Sequence, residues 1–411
     1  MNFQRKLWWA QHRTDVYKYG TILSLVLIVT ISIIYFTYSK FTSTNEATAY
    51  ETTVEPFIKN DYFIASYVDG VWSDTIPGKD DGYIVDKIIC DNGATATWDD
   101  DEWGINVRNA TQKIKCSVFF IVKPTSAKQI ETLAATDTTN FATDDPDNNI
   151  RYIGANPNNY VYFNCSDYNN QSDSTCEKWR IIGVFKNVTK SDGTKEDLVK
   201  IIRNDFIENI AWDSNGVNDW STATLQTTLN GEYYNGIYAT GALKNDTTRN
   251  AIESVVWNLG GTATFYSSSN GLASHWYGYE RGTTVSSGRP TTWTGKIALM
   301  YPSDYGYATS GNSTTDRATC LSKELYHWDS ANDCYNNDYL FNDGYWQWTL
   351  APYSTNSNRV FYVYKNGRVF NSNYVLYDNN SARPVAFLKS NILITDVGIG
   401  TAESPFQLKV G

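Results

Sequence analysis

The chain has 411 residues, with 44 Asp and Glu against 34 Lys and Arg, and a net charge of −10. That balance excludes a phosphate-binding surface built from clustered Lys and Arg, so no nucleic-acid partner is expected. Thirty Tyr, 14 Trp and only two Met, among many Asn, Ser and Thr, describe a polar, β-rich surface carrying aromatic patches, as adaptable recognition surfaces do.

Tyr19 to Ser39 carries no charge and is bounded by Lys18 and Lys40. Its apolar core, residues 21–38, would be roughly 27 Å long as a helix, close to the hydrocarbon thickness of a bilayer. Arg5, Lys6, Arg13 and Lys18 precede it, and Glu46, Glu51 and Glu55 follow it. Excess Lys and Arg stay in the cytosol, so residues 1–18 read as a cytoplasmic tail and 19–39 as an uncleaved transmembrane signal anchor. Residues 40–411 then read as extracellular, with the cell membrane as a partner. Cleavage at Ala47-Thr48-Ala49 would lie about ten residues too far from the apolar run. A type IV pilin leader would carry a glutamate where Leu25 stands.

Residues 40–56 are Thr- and Glu-rich without apolar period and read as an extended stalk. Residues 57–124 read as a small all-β module, with strands at Tyr62–Val68, Tyr83–Cys90, Gly104–Val107 and Ile114–Val122. About 65 residues bury little core, so a Cys90–Cys116 staple is expected there. The acidic run Asp99-Asp100-Asp101-Glu102 is one candidate for calcium, which wants several oxygens, though such a run is also an ordinary solvated turn. Residues 125–149 form a connector, with a helix at Ser126–Ala135 and a second oxygen-rich stretch at Asp144–Asn149.

Residues 150–411 read as one α+β domain of roughly 260 residues, near the upper limit for a single core. Strands are expected at Tyr160–Asn164, Trp179–Phe185, Leu198–Arg203, Lys296–Met300 and Arg359–Tyr364. The last of these forms a hairpin through Asn366-Gly367 with Arg368–Phe370. Terminal strands follow at Pro384–Leu388 and Phe406–Val410. Helices are expected at Thr222–Leu229 and Asp246–Leu259, the second from the helical spacing of Ile252, Val255, Val256 and Leu259.

The six cysteines fall into three local couples, Cys90 and Cys116, Cys165 and Cys176, Cys320 and Cys334. Sequence leaves the connectivity open, but local pairing into three disulfides is the simplest reading for chain outside the cell. A zinc site is a poor reading, because no CxxC occurs and the histidines beyond the apolar segment are His275 and His327 alone. No metal ligand set is assigned.

The order Trp179-Arg180-Ile181-Ile182, Trp220-Ser221-Thr222 to Leu229-Asn230, Gly367 and Ala382-Arg383-Pro384-Val385 resembles a bacterial family of exported domains of unknown function. The resemblance covers 150–411. It implies a cell-surface protein of a Gram-positive bacterium and a layout similar to C-type-lectin-like folds. The calcium-dependent sugar motifs Glu-Pro-Asn and Gln-Pro-Asp are absent, which leaves calcium-mediated sugar binding without support.

Catalysis of the Ser/His/Asp kind needs a base beside a nucleophile, and His275 and His327 lie between aromatics with no Gly-x-Ser-x-Gly turn. Glu280 and Asp304 are the natural carboxylate pair for a glycan hydrolase. No catalytic residue is assigned. The stretch 341–382 interleaves aromatics with Asn and Ser, and in a lectin-like layout Tyr353, Asn356, Asn358, Arg359 and Tyr374 would contact a glycan or protein ligand. Trp346, Trp348 and Arg383 read as core. The expected function is therefore an anchored extracellular binding or adhesion protein, with a minor-pilin-like filament component or a cell-wall glycan hydrolase as alternatives.

Overall fold

A computed structural model describes residues 12–14, 17–30, 63–68, 70–73, 75–79, 81–109, 113–371 and 373–410. Its contacts divide into two units, Met1–Lys123 and Pro124–Gly411. The expected stalk at 40–56 lies outside the described residues, as do 31–39 of the apolar segment.

The membrane anchor expected at 19–39 is not borne out. Among the described residues no helix is long and apolar enough to cross a membrane. Of the apolar segment, residues 19–30 are described, and they are helical. The single-pass localisation and its cytoplasmic tail fall with that span.

Among the described residues of the smaller unit six strands form, β1 Phe63–Val68, β2 Val71–Ser73, β3 Tyr83–Cys90, β4 Thr95–Asp99, β5 Gly104–Arg108 and β6 Lys115–Val122. Four of them make a sheet in the order β2-β1-β6-β3, with β1 and β6 parallel, and β4 and β5 form a separate hairpin. Period-two alternation sends Cys116, Val118 and Phe120 of β6 inward. Trp98 and Trp103 of the hairpin pack on Phe120, Trp98 edge-on at 5.4 Å. Cys90 and Cys116 are register partners and are bridged.

The larger unit begins with α1 Ser126–Ala134, whose first turn is capped by Thr125 accepting from the Lys128 amide at 3.1 Å. Ala127 and Ile130 on its inner face join the main core, so residues read as connector contribute packing. Strands β7 Phe141–Ala142, β8 Ile150–Tyr152, β9 Tyr160–Phe163, β10 Glu177–Thr189 and β11 Lys195–Arg203 follow. Later come β12 Val255–Asn258, α2 Ala273–Glu280, β13 Thr292–Gly295, β14 Ile297–Ala298 and α3 Pro302–Ala308. The hairpin β15 Gln347–Pro352, β16 Val360–Val363 and β17 Val369–Phe370 precedes β18 Val385–Phe387.

The main sheet runs β14-β18-β11-β10-β8-β7, with β9 also pairing β10. Gly183 is required where β10 crosses β8, because a Cβ there would sit 2.0 Å from the Ile150 carbonyl oxygen. Trp179, Ile181, Ile201 and Ile202 fill the core beside Val385 and Leu388. The residues that carry the family resemblance are packing residues. Arg180 donates to Asn159 Oδ1, Arg383 to the Arg203 and Leu340 carbonyls, and Asn230 bridges the Ile297 amide and carbonyl.

The helix expected over Asp246–Leu259 stops at Asn250, and β12 takes its second half. Val255 and Trp257 alternate inward against β13, so a period of two overrides the helical spacing of Ile252, Val255, Val256 and Leu259. The hairpin at Asn366-Gly367 forms between β16 and β17, with Gly367 at φ +87° donating to Tyr364 O at 2.8 Å. The other two disulfides join Cys165 to Cys176 and Cys320 to Cys334. All six cysteines are thereby paired as local couples.

Candidate functional site

The five residues assigned to ligand contact do come together. Tyr353, Asn356, Asn358 and Arg359 lie on the connection from β15 to β16, and Tyr374 pairs with Arg359 as an antiparallel bridge. None of the five is fully exposed. The Tyr353 ring meets Phe361 edge-on at 5.7 Å and Phe265 at 6.1 Å. Arg359 lies 4.7 Å over the Tyr374 ring and donates to its hydroxyl at 3.2 Å. Asn356 Oδ1 accepts from the Asn358 amide.

From beneath, Asn218 Nδ2 donates to the carbonyls of Tyr353, Asn356 and Arg359 at 2.8–3.1 Å, and Ser286 Oγ adds contacts to the same turn. Tyr353 and Arg359 thus pack against neighbouring rings, while Asn358 Oδ1 and Arg359 Nε find no hydrogen-bond partner among the described residues. Trp348 and Arg383 are buried in the core, and Trp346 stacks on Tyr364 at 5.1 Å.

The carboxylates singled out for hydrolysis are buried as well. Asp304 is held from three sides: Arg151 Nη1 reaches its Oδ1 at 3.1 Å, while Lys200 Nζ and the Tyr301 amide, at 2.9 Å, both reach Oδ2. Arg151 also binds Asp145 through Nε at 2.6 Å. Burial pushes the Asp304 carboxyl up, but Lys200 and Arg151 outweigh it and hold the group below the usual carboxylate range.

Glu280 accepts from the Ser303 amide at 2.8 Å and from the Ser303 hydroxyl, and burial pushes its carboxyl up to about 7. Neither group has surface to offer a substrate. His275 accepts from the Leu272 amide at 3.3 Å, closing the first turn of α2. His327 lies edge-on to Tyr326 at 4.8 Å.

Both oxygen-rich stretches work as turns and pairs. Asp99 Oδ1 accepts from the amides of Asp101 and Glu102, which closes the β4–β5 turn. Asp144 binds Arg317, and Asp145 binds Arg151. Among the described residues no group of three or more His, Cys, Asp or Glu converges as a cation site.

An open groove of about 440 Å³ lies elsewhere in the larger unit. The chain leaving β11 forms one wall with Asp205, Phe206, Glu208 and Asn209, and the loop before β15 forms the other with Asn342 and Tyr345. Phe206 and Tyr345 meet across it with ring centroids 4.7 Å apart and planes 32° from parallel. Tyr345 is 47% exposed.

Ser381 forms the floor. It bridges antiparallel to Asn209 and parallel to Gln347, so a single residue fixes the spacing of the two walls. Its hydroxyl donates to Asn209 Oδ1 at 2.6 Å. Phe206 is held from behind, where Arg203 Nη1 donates to its carbonyl at 2.9 Å and is itself anchored by Glu177 at 3.0 Å.

The groove therefore offers an apolar ring surface, two carboxylates and two amides, with no Lys or Arg in its lining. Sequence reading passed over it. The one available signal was the pair of aromatic-bearing turns, Asn204-Asp205-Phe206 and Asn342-Asp343-Gly344-Tyr345, whose adjacency depends on Ser381 between them. Comparison with protein-family models, with curated proteins and with solved structures finds no match for this chain, so the family resemblance rests on its own residues alone.

Proposed function

We propose that this is an extracellular recognition protein whose Phe206–Tyr345 groove binds a glycan. The observation that carries the reading is the aromatic pair of exposed Tyr345 and half-buried Phe206 set among Asp205, Glu208, Asn209 and Asn342. A pyranose has an apolar C–H face and a rim of hydroxyls, so it can lie on a ring while carboxylates and amides take its hydroxyl hydrogens. Two carboxylates in a lining without Lys or Arg disfavour acidic sugars and suit neutral or amino-bearing ones. Three disulfides fit an oxidising environment outside the cell, where such bonds persist. Surface adhesion is the natural use of such a site.

A glycan array probed with the full chain tests the reading. Neutral or amino-sugar oligosaccharides should be retained, uronate- and sialate-terminated ones should not, and Tyr345→Ala should abolish retention. Indifference of the array pattern to Tyr345→Ala would remove the groove as the site. Release of soluble fragments from peptidoglycan, lost in Glu208→Gln, would replace binding by hydrolysis.

A further inference from the structure

We propose that Lys200 and Asp304 condense into an intramolecular isopeptide bond that ties strand β11 covalently to helix α3. The two side chains are fully buried, and Lys200 Nζ lies in hydrogen-bonding contact with Asp304 Oδ2. Nucleophile and carboxyl are thus held together without solvent, the arrangement that turns an unfavourable encounter into a unimolecular step.

The amine stands in a cage of rings, with Tyr301 at 4.5 Å, Phe185 at 4.8 Å, and Trp257 and Phe387 each at 5.7 Å from Nζ. Burial pulls it down to about 8, so a fraction is the neutral, nucleophilic form at physiological pH. An ammonium brings three N–H donors, yet among the described residues Asp304 is the one hydrogen-bond acceptor it reaches. An amide would carry one N–H and no charge.

The surroundings suit the chemistry. Arg151 Nη1 and the Tyr301 amide both donate to the Asp304 carboxyl, where negative charge grows in a tetrahedral intermediate. Glu280 is the neighbouring buried carboxyl that holds a proton near neutral pH. It bonds Ser303, the residue before Asp304, and is assigned the proton transfers.

In the step Lys200 Nζ bonds to Asp304 Cγ and one Cγ–O bond breaks. Two protons of the ammonium leave with that oxygen as water, so atoms and charge balance without any redox partner. The product removes one positive and one negative charge from the interior and leaves Arg151 paired with Asp145 at 2.6 Å. The cluster stays neutral, and the desolvation cost of one buried ion pair disappears.

Intact-mass spectrometry of the full chain, unfolded but not reduced, tests this. The expected mass lies one water below that of the sequence with three disulfides. A tryptic map should show the Lys200 peptide joined to the Asp304 peptide, with no cleavage after Lys200. Glu280→Gln should leave a measurable fraction unlinked. Full mass with free cleavage after Lys200, or water loss without the joined peptide, would overturn the bond, and complete linkage in Glu280→Gln would overturn its role. Lys200→Met should keep the full mass, and where that variant fails to fold the wild-type mass still decides.

Discussion

Carboxylates meet aromatic rings twice in the larger unit, with opposite consequences. Around Asp304 the rings of Phe185, Tyr301 and Tyr307 enclose the charges completely, and every carboxylate oxygen there faces a donor of the same chain. Around Asp205 and Glu208 the rings of Phe206 and Tyr345 lie open, and the lining brings no cation to meet the acids. The strongly shifted Lys200 and Glu280 sit in the closed cluster, and the shifted Asp338 and Arg383 are buried as well, where no ligand reaches them. Perturbed titration marks functional sites in many proteins. Here it marks the interior, and recognition is assigned where the same residue types remain wet.

Substitutions separate the two regions, the closed cluster giving the larger effects. Arg151→Ala leaves Asp145 buried without its partner and should cost roughly 3–5 kcal/mol in urea unfolding, with glycan retention unchanged in the folded fraction.

Glu280→Gln should change the pH dependence of stability. Its carboxyl is raised in the fold from 4.5 to about 7, so the unfolded chain ionises first as pH rises. Stability is therefore lost between about 4.5 and 7, by on the order of 3 kcal/mol. The glutamine variant should lack that decline, and a decline of the same size in both would exclude Glu280 as its source.

Tyr353→Ala, in the loop expected to bind, should lower stability by about 2 kcal/mol through lost contacts with Phe265 and Phe361 while leaving affinity intact. Tyr345→Ala should do the reverse: a loss of at least about tenfold in affinity with little change in unfolding, because the ring is largely outside the core. Asp205→Asn should lower affinity only a few-fold, since one hydrogen bond keeps an acceptor in the amide oxygen.

Much of the scaffold was legible in the sequence. Strand β3 spans Tyr83–Cys90 as the β-branched alternation indicates, and the Asn366-Gly367 pair marked its hairpin. Over Asp246–Leu259 the helical spacing of Ile252, Val255, Val256 and Leu259 competes with the alternation of Val255, Trp257 and Leu259, and pairing with β13 decides for the strand. The apolar run at 19–39 has the composition of a span, but no helix among the described residues is long and apolar enough to be one.

Site residues were less legible for a physical reason. Glu280 and Asp304 stand out in the sequence as carboxylates among aromatics, but burial decides what such groups do, and one sequence does not display it. Phe206 and Tyr345 become neighbours only through the Ser381 bridges, a tertiary fact without a local signature. Tyr353 and Arg359 drew attention by composition, and the structure uses them largely to hold a loop in place.

Hydrogen exchange of the full chain with and without chitin oligosaccharides, a neutral probe, distinguishes the two faces most directly. A groove-bound glycan should protect amides in 205–209 and 342–345 and leave those in 353–359 unchanged. Protection confined to 353–359 and 373–375 would contradict the groove and return recognition to the loop around Tyr353.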